Sequence, residues 1–324
     1  MCYNMQSKKG NSISLGGVTI SNEERLGLMA DTVDNIGPEF LIREAFLGYK
    51  YRKEHKKLYS SANDNLVFVP EKLIRLYYGL NPTEANFNTM KKLFITHYIT
   101  NESEIEGIEK ANIHNNAETR GLAVMYDYIH SDDINYLFDV YTLKDLHRKL
   151  FTFAEHPECA GDFRNFQVFL PGTGTELTPW YMIREELNKI DIEVQELVKE
   201  SKKIREYKDI DALIRYIERC VIVKCKLIKV HPFSDGNGRT IRGFVNKLFE
   251  DAGLPPVYIK VNERTEYQKA MNLANNESDY THIINFYKYK ICDSIIELDI
   301  NERIAKHNDN SKHVKRKVKN LSLN

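Results

Sequence analysis

The feature that most constrains this chain is the segment 231–242, with the sequence HPFSDGNGRTIR. The preceding residues 211–230 are apolar on nearly every face, which predicts a helix buried in the middle of a domain, with Asp211 as its N-cap. After the segment, apolar residues recur at helical spacing until Gly253 and two prolines end the pattern. The sequence therefore predicts a helix, a tight loop and a second helix.

The loop and the start of the second helix predict an anion site. The backbone N–H groups of Gly236, Asn237 and Gly238 fall at the helix N-terminus, where unpaired donors and the helix dipole favour phosphate. Arg239 and Arg242 lie three residues apart and project from one face, so that two guanidiniums can meet two phosphates.

Two further side chains of the segment predict chemistry at that anion. Asp235 can hold Mg²⁺, which usually takes one or two carboxylates and completes its shell with water and phosphate. His231 can take a proton from an incoming hydroxyl. The alternative is that His231 merely ends a helix and that the glycines only form a turn. A turn flanked by His, Phe, Asp and two phased Arg makes that alternative the weaker one.

The segment matches in every specified position the motif H-x-F-x-[D/E]-G-N-G-R-x-x-R, and in this the chain resembles the Fic family. Three further segments extend the resemblance, which runs from about residue 90 to 295: EIEG at 104–107, GDFR at 161–164 and ERTEYQKAMNLAN at 263–275. The resemblance implies an all-α fold, a Fic helical bundle with a small β-hairpin flap. It implies a Fic core over residues 85–300, while composition and periodicity predict an N-terminal helical appendage with a loose start over 1–84 and a basic C-terminal tail over 301–324.

The resemblance implies a protein adenylyltransferase, which transfers AMP from Mg·ATP to a Tyr, Thr or Ser hydroxyl of a target protein. In this interpretation His231 is the catalytic base and Asp235 holds the metal ion. The residues implied to bind the nucleotide are Gly236, Asn237, Gly238, Arg239, Arg242, Tyr267 and Asn275.

Tyr267 and Asn275 are eight residues apart, so one face of a helix could present both to the nucleotide base. Fic relatives carry Tyr and Asn at this spacing. Core packing is an almost equally good explanation of Tyr267.

Residues 100–107 predict a regulatory element. In many Fic proteins a motif [S/T]-x-x-x-E-[G/N] forms a short inhibitory helix, whose glutamate pairs with the second arginine of the active-site motif. Here Glu106 and Gly107 match the end of that motif, while Glu102 stands where the relatives have Ser or Thr. We expect Glu106 to pair with Arg242. The alternative is that Ser103 and Glu106 form a capping box for a new helix.

Residues 161–178 interrupt the helical pattern. Phe166, Val168 and Leu170 alternate, and PGTGT supplies turn residues, which together predict a β-hairpin. The resemblance implies that this hairpin is a flap whose edge holds the target protein by strand addition, and it also allows self-modification and a homodimer. A hairpin without a function is the alternative.

Composition limits the partners. Lysine plus arginine and aspartate plus glutamate balance at 46 each, which argues against nucleic acid and anionic membrane as general partners. The chain shows no membrane span, no secretory signal and no C-x-x-C pair, so we expect a reduced, cytoplasmic protein, with export by a signal-independent route left open.

Two other functions compete with protein adenylyltransfer. One is the reverse reaction, in which Glu106 orients a water that releases AMP from a modified protein. The other is a non-catalytic regulator that binds nucleic acid through the basic tail.

Overall fold

The structure is a computed structural model of the chain. It describes residues 13–15, 18–20, 70, 71, 74, 78, 96–108, 116–155, 160–170, 174–207 and 209–295. Two short strands, β1 (Ile13–Leu15) and β2 (Val18–Ile20), pair antiparallel with Leu15 opposite Val18. They belong to one compact unit of the chain, and the helices below belong to the other.

The second compact unit comprises Pro70–Asn81 and Ile95–Ser294. Its described residues are mainly helical, in agreement with the predicted all-α class. In chain order the helices are α1 (helical over 96–105), α2 (Ala117–Ile129), α3 (Asp132–Tyr136), α4 (Thr142–Leu150), α5 (Ile183–Tyr207), α6 (Ile210–Val230), α7 (Asn237–Asp251), α8 (Arg264–Glu277) and α9 (helical over 281–295). Short 3₁₀ turns at Trp180–Met182 and Val261–Glu263 precede α5 and α8.

The predicted central helix is present as α6, and it packs against α5, α7 and α8. Its side chains are buried around most of its circumference, as the continuous apolar pattern indicates. Its N-cap is Asp209 rather than the predicted Asp211, because the carboxylate of Asp209 accepts the N–H of Ala212 at 2.9 Å. Helix α7 ends at Asp251, and Gly253 follows with φ 84°, as the glycine and proline stop signal predicts.

The helical unit also contains described positions from the N-terminal part of the chain. Positions 70, 71, 74 and 78 are helical and belong to the same compact unit as α1–α9, although the prediction placed them in the appendage. Ile74 and Tyr78 are buried, and Glu71 pairs with Lys288 at 2.7 Å. The predicted boundaries at 84/85 and 300/301, and the tail over 301–324, lie outside the described residues.

The predicted β-hairpin is not formed by the described residues of 161–178, which contain no strand. The backbone donors at its two ends bond elsewhere. The N–H of Arg164 donates to the carbonyl of Pro232 at 2.9 Å, and the N–H of Thr178 donates to that of Lys229 at 3.0 Å. This segment is therefore attached to the end of α6 and to the loop after it.

Within the described part of the chain, every helix is too short or too polar to cross a bilayer. Cys220, Cys225 and Cys292 are free thiols buried in the helical unit.

Candidate functional site

The site begins where α6 ends. His231 is the C-cap of α6 and adopts a left-handed conformation, with φ 49° and ψ 62°, which turns the chain sharply out of the helix. Five residues later Gly236 adopts φ 69° as the N-cap of α7. A Cβ at Gly236 would lie 2.6 Å from Cε2 of Phe151, so both the backbone angle and the close packing require glycine.

The loop between these helices is closed by the side chain of Asn237. Its Oδ1 accepts the N–H of Phe233 at 2.9 Å, and its Nδ2 donates to the carbonyl of Phe233 at 2.8 Å. The Asn237 side chain therefore shapes the loop, and only its backbone N–H can face a ligand.

Among the described residues, no side chain caps the start of α7, so its first turn keeps the donors that the sequence predicts for an anion. Gly236 departs from that prediction, because its N–H already donates to Oδ1 of Asp235 at 2.6 Å.

Arg164 fixes the position of His231 from the side of the segment 161–178. Its guanidinium donates to four backbone carbonyls: Nε to His231 at 2.7 Å, Nη1 to Phe166 at 2.9 Å, and Nη2 to Thr178 at 2.5 Å and to Val230 at 3.2 Å. A fork of fixed donors suits this role, which one ammonium group could not fill with the same geometry. The pKa of His231 is lowered to about 4, first by burial and then by the nearby charge of Arg164. The imidazole of His231 is therefore neutral near pH 7.

His147 supports the loop from beneath. Its Nδ1 accepts the N–H of Gly161 at 2.8 Å, so its Nε2 carries the proton and donates to the carbonyl of Asp235 at 3.0 Å. Its ring stacks on Phe233 with centroids 3.9 Å apart. Burial lowers the pKa of His147 to about 4. His147 is thus a packed and hydrogen-bonded residue of α4 that supports the loop.

Arg242, the second arginine, is held by two carboxylates from α1 and the turn that ends it. Nη2 donates to Oε1 of Glu106 at 2.7 Å, which confirms the predicted contact. Nε donates to Oε2 of Glu102 at 2.6 Å, a contact that the sequence analysis did not predict. Glu102 is 0% exposed and Glu106 is 35% exposed. Two acidic groups of very different accessibility therefore share one guanidinium.

The capping-box interpretation of Ser103 and Glu106 is wrong, because these residues end a helix and do not start one. The N–H of Gly107 donates to the carbonyl of Glu104 and that of Ile108 to the carbonyl of Ser103, at 3.0 and 3.1 Å. Gly107 has φ 93°, which completes a Schellman end with Glu106 at the C-cap. The Ser103 hydroxyl bonds instead with that of Thr119 at 3.0 Å, which ties α1 to α2.

The three charged groups shift one another's pKa. Burial raises the pKa of Glu102, and Arg242 offsets this only in part. Burial acts in the same direction on Glu106, but Arg242 outweighs it, so the pKa of Glu106 lies below its usual value. Burial lowers the pKa of Arg242, yet Glu102 and Glu106 outweigh burial and raise it well above its usual value. Arg242 is therefore a cation whose charge is already paired.

Arg239, the first arginine, is also paired. Its Nη1 bonds to Oε2 of Glu118 in the first turn of α2. The Arg239 side chain is 4% exposed and that of Glu118 is 37% exposed. Both arginines of the predicted phosphate site thus contact carboxylates.

Tyr267 and Asn275 lie on the same buried face of α8, as their spacing predicts. The ammonium of the buried Lys224 donates to the Tyr267 hydroxyl at 2.7 Å. The ammonium of Lys229 donates to the main-chain carbonyl of Asn275 at 3.2 Å. Tyr267 lies near enough to Arg242 to contribute to its raised pKa. Helix α8 therefore places Tyr267 beside Arg242 and Asn275 beside Lys229 near the end of α6.

Asp235 is exposed at the loop that precedes α7, with Oδ1 bonded to Gly236. The described residues contain no cluster of three His, Cys, Asp or Glu that could hold a metal by protein ligands alone. Mg²⁺ bound together with phosphate needs only one or two carboxylates, so a single exposed carboxylate beside a phosphate-binding helix start fits such an ion.

The site residues that could not be predicted from the sequence form hydrogen bonds with partners that are distant along the chain. Arg164 belongs to the quoted GDFR segment, but its role depends on the end of α6, 67 positions away. Glu102 and Glu106 are four residues apart, a helical spacing that places both on one face, and this signal could have linked them. Glu118 gives no comparable signal in its neighbourhood.

The region that carries this site is similar to known proteins. Residues 137–249 match the Fic/DOC family. A protein adenylyltransferase fic-1 of Caenorhabditis elegans is 36% identical over 154 residues, which are 48% of this chain and 26% of that protein. A protein adenylyltransferase Fic of Culex quinquefasciatus is 30% identical over 187 residues, which are 55% of this chain and 33% of that protein. The chain thus spans about a quarter to a third of the length of these curated relatives.

Two solved structures share the fold. A Fic domain containing signaling protein from Bacteroides thetaiotaomicron aligns with a TM-score of 0.56 at 15% identity, over 74% of this chain and 98% of that one. Fic-1 (aa134–508) from C. elegans aligns with a TM-score of 0.54 at 20% identity, over 89% of this chain and 84% of that one.

Proposed function

The chain carries a Fic/DOC family domain over residues 137–249, and on this premise we propose that it is a protein adenylyltransferase. The observation that supports this most is the geometry between α6 and α7. A neutral histidine ends one helix, and an uncapped helix start with two arginines on its first turns follows within a few residues. Curated relatives of this region are named protein adenylyltransferases.

In the proposed reaction ATP lies with its phosphates at the start of α7. The free N–H groups of Asn237 and Gly238 donate to phosphate oxygens, and Arg239 and Arg242 neutralise the β- and γ-phosphates. Asp235 would hold Mg²⁺, which supplies further neutralisation of phosphate charge when bound.

His231 acts on the incoming group. Its neutral imidazole takes the proton of a Tyr, Thr or Ser hydroxyl, whose oxygen forms a bond to the α-phosphorus. The bond from the α-phosphorus to the bridging oxygen of the β-phosphate breaks, and pyrophosphate leaves. Arg164 keeps His231 in place during this step through its bond to the His231 carbonyl.

We assign the nucleotide base to the side of α8 that carries Tyr267 and Asn275. Both residues are buried on one face of α8, and Tyr267 lies beside Arg242. An aromatic ring and an amide suit a purine, which offers a π-face and polar edges.

The target protein is proposed to bind along the segment 161–178. Its described residues include two exposed aromatic side chains, Phe166 and Phe169, the latter 82% exposed. The segment is bonded at both ends to the neighbourhood of His231, so a target held here reaches the base. Self-modification is a special case in which the hydroxyl belongs to another copy of the chain.

We further propose that this enzyme is autoinhibited by Glu106. With Glu106 on Nη2 of Arg242, the guanidinium cannot align the γ-phosphate, and ATP binds without geometry for in-line attack. The pairing of Arg239 with Glu118 adds a weaker obstacle of the same kind.

The reverse reaction is the second candidate. Glu106 is 35% exposed and bonded within the site, so its carboxylate could orient a water toward an AMP-modified side chain. His231 would take the proton of this water, whose oxygen bonds to the α-phosphorus, and pass it to the side-chain oxygen as the bond between that oxygen and phosphorus breaks.

The test uses ATP labelled at the α-phosphate, a cell lysate and the full chain as wild type, Glu106→Gly and Glu106→Gly/His231→Ala. We expect covalent AMP on protein, detected by mass spectrometry, to increase in Glu106→Gly and to disappear in the double variant. Glu104→Gly makes the same chemical change two residues earlier and serves as the control. If Glu106→Gly adds no AMP but wild type releases AMP from a pre-modified protein, the reverse reaction is the correct one.

A further inference from the structure

The two carboxylates on Arg242 occupy different positions in their helix. Glu106 is the C-cap, beyond which Gly107 turns the chain away, and its side chain reaches water. Glu102 lies one turn earlier, inside the helix, and is completely buried. Next to it, the bond between Ser103 and Thr119 fastens this part of α1 to α2.

This difference decides which contact can open. Releasing Glu106 requires only that the last turn of α1 frays, because the side chain is already at the surface. Releasing Glu102 requires that a buried carboxylate separate from a buried guanidinium, which leaves both without a partner. Glu102 therefore keeps its bond to Nε of Arg242 when Glu106 leaves.

We propose that Glu102 is a positioning residue for nucleotide binding, which fixes the guanidinium of Arg242 so that its far edge meets the γ-phosphate. This rests on the proposed function only in that ATP is the ligand. The guanidinium is planar, and with Nε fixed its remaining freedom is small. Once Glu106 leaves, Nη1 and Nη2 form a two-donor edge that fits two oxygens of one phosphate. Nη1 already lies beside Gly238 at the start of α7, because a Cβ at Gly238 would lie 2.9 Å from it.

A rival explanation is that Glu102 is a second inhibitory group. Its negative charge offsets part of the positive charge of Arg242 and so weakens the attraction for phosphate. The two explanations predict opposite signs. Removing the acceptor of Glu102 harms γ-phosphate recognition if Glu102 positions Arg242, and improves it if Glu102 inhibits.

The experiment measures the affinities for Mg·ATP and Mg·ADP by titration calorimetry, since only ATP has the γ-phosphate. In the Glu106→Gly background, Glu102→Met removes the acceptor at nearly constant volume, and Glu102→Gln removes the charge but keeps an acceptor oxygen. We expect Glu102→Met to lower the ratio of ATP to ADP affinity by about tenfold, and Glu102→Gln to restore most of it. Asp127→Asn, at an exposed position of α2, should leave the ratio unchanged.

A second measurement requires no change at Glu102. In Glu106→Gly, the Nε–Hε resonance of Arg242, assigned by its absence in Arg242→Lys, should stay protected from exchange with water before and after Mg·ATP is added. Loss of protection on ATP binding overturns the proposal, as does an unchanged affinity ratio in a folded Glu102→Met.

Glu102→Gln that activates the wild-type chain as strongly as Glu106→Gly also overturns it, in favour of a second inhibitory group. A preference for ATP that depends on Glu102 in a protein that transfers no AMP supports the positioning role while rejecting the proposed function. AMP transfer by a protein whose affinity ratio does not depend on Glu102 supports the proposed function and rejects the positioning role.

Discussion

The two sides of the site are held by different kinds of partner. On the histidine side, Arg164 and His147 bond to backbone groups, which belong to the fold and cannot be exchanged. On the arginine side, Glu118 on Arg239 and Glu106 on Arg242 are partly exposed carboxylates, which a phosphate can replace because it offers the same charge and the same kind of acceptor. The comparison indicates that the proposed base is placed permanently, while the groups that bind the nucleotide are competed for.

The largest effect on AMP transfer is expected from removing the imidazole of His231. His231→Ala in the Glu106→Gly background should lower AMP transfer by about a hundredfold to ten-thousandfold, because the general base is lost. The affinity for ATP should change little, since the imidazole acts on the hydroxyl and not on the phosphates. Rates from labelled ATP and affinities from calorimetry check both parts, and transfer within tenfold of the parent contradicts the role of His231.

The next largest loss of AMP transfer is expected from changing Arg164, which holds the backbone around His231. Arg164→Lys in the same background keeps the charge but loses the fork that holds four carbonyls, so His231 shifts. We expect transfer to fall by about a hundredfold, with ATP affinity retained. Thermal unfolding should show a lower midpoint, because carbonyls lose their donors. Transfer that stays within threefold of the parent shows that Arg164 does not position the base.

On the arginine side, removing a carboxylate should raise the activity. Glu106→Gly is expected to increase transfer by about tenfold to a hundredfold, as for loss of a charge-assisted hydrogen bond in a shielded site. Glu106→Gly/Arg242→Ala should lose this gain, since both changes act through one contact. A gain of equal size in Glu104→Gly would mean that any glycine here loosens α1.

Glu118→Gln should have a smaller effect of the same sign. The Glu118 side chain is 37% exposed, so solvent screens its pairing with Arg239, and such pairs contribute about 0–1 kcal/mol. We expect the affinity for ATP to improve by no more than about fivefold. Asp127→Asn, at an exposed position of the same helix, is the control. A weaker ATP affinity in Glu118→Gln would show that Glu118 orients Arg239 instead of competing for it.

The smallest expected effect is an absence of titration. Because burial and Arg164 lower the pKa of His231 to about 4, its neutral form persists from pH 8 to about pH 5 and is lost only as the pH falls through 4. The Cε1–Hε1 resonance of His231, assigned with His231→Ala, should not shift over that range. Free histidine in the same sample titrates near pH ~6.5. A midpoint near 6.5 for His231 would contradict the buried, Arg164-facing position.

The sequence predicts the parts of this site that are encoded locally. Periodicity locates α6 and α7, the glycines locate the loop, and the spacing of Tyr267 and Asn275 places both on one face of α8. The resemblance to a known motif adds the contact between Glu106 and Arg242.

Other features depend on tertiary structure and could not be read from the sequence. The bond from Glu102 to Arg242 joins positions 140 apart, and that from Glu118 to Arg239 joins positions 121 apart. The described residues of 161–178 contain no strand, in contrast to the predicted hairpin, for a related reason. Alternation and turn residues favour a hairpin, but the end of α6 supplies other acceptors for the backbone donors at 164 and 178.

The C-cap position of Glu106 has a kinetic consequence. Motions of chain segments at helix ends take nanoseconds to microseconds, whereas enzymes typically turn over about 1 to 10³ times per second. If Glu106 inhibits as proposed, its contact with Arg242 is therefore expected to open and close many times within one catalytic cycle. Inhibition of this kind scales the rate by the fraction of time that the contact is open. A ligand or partner that changes that fraction would then adjust the rate of the proposed AMP transfer continuously. No slow rearrangement of the fold would limit how fast that rate changes.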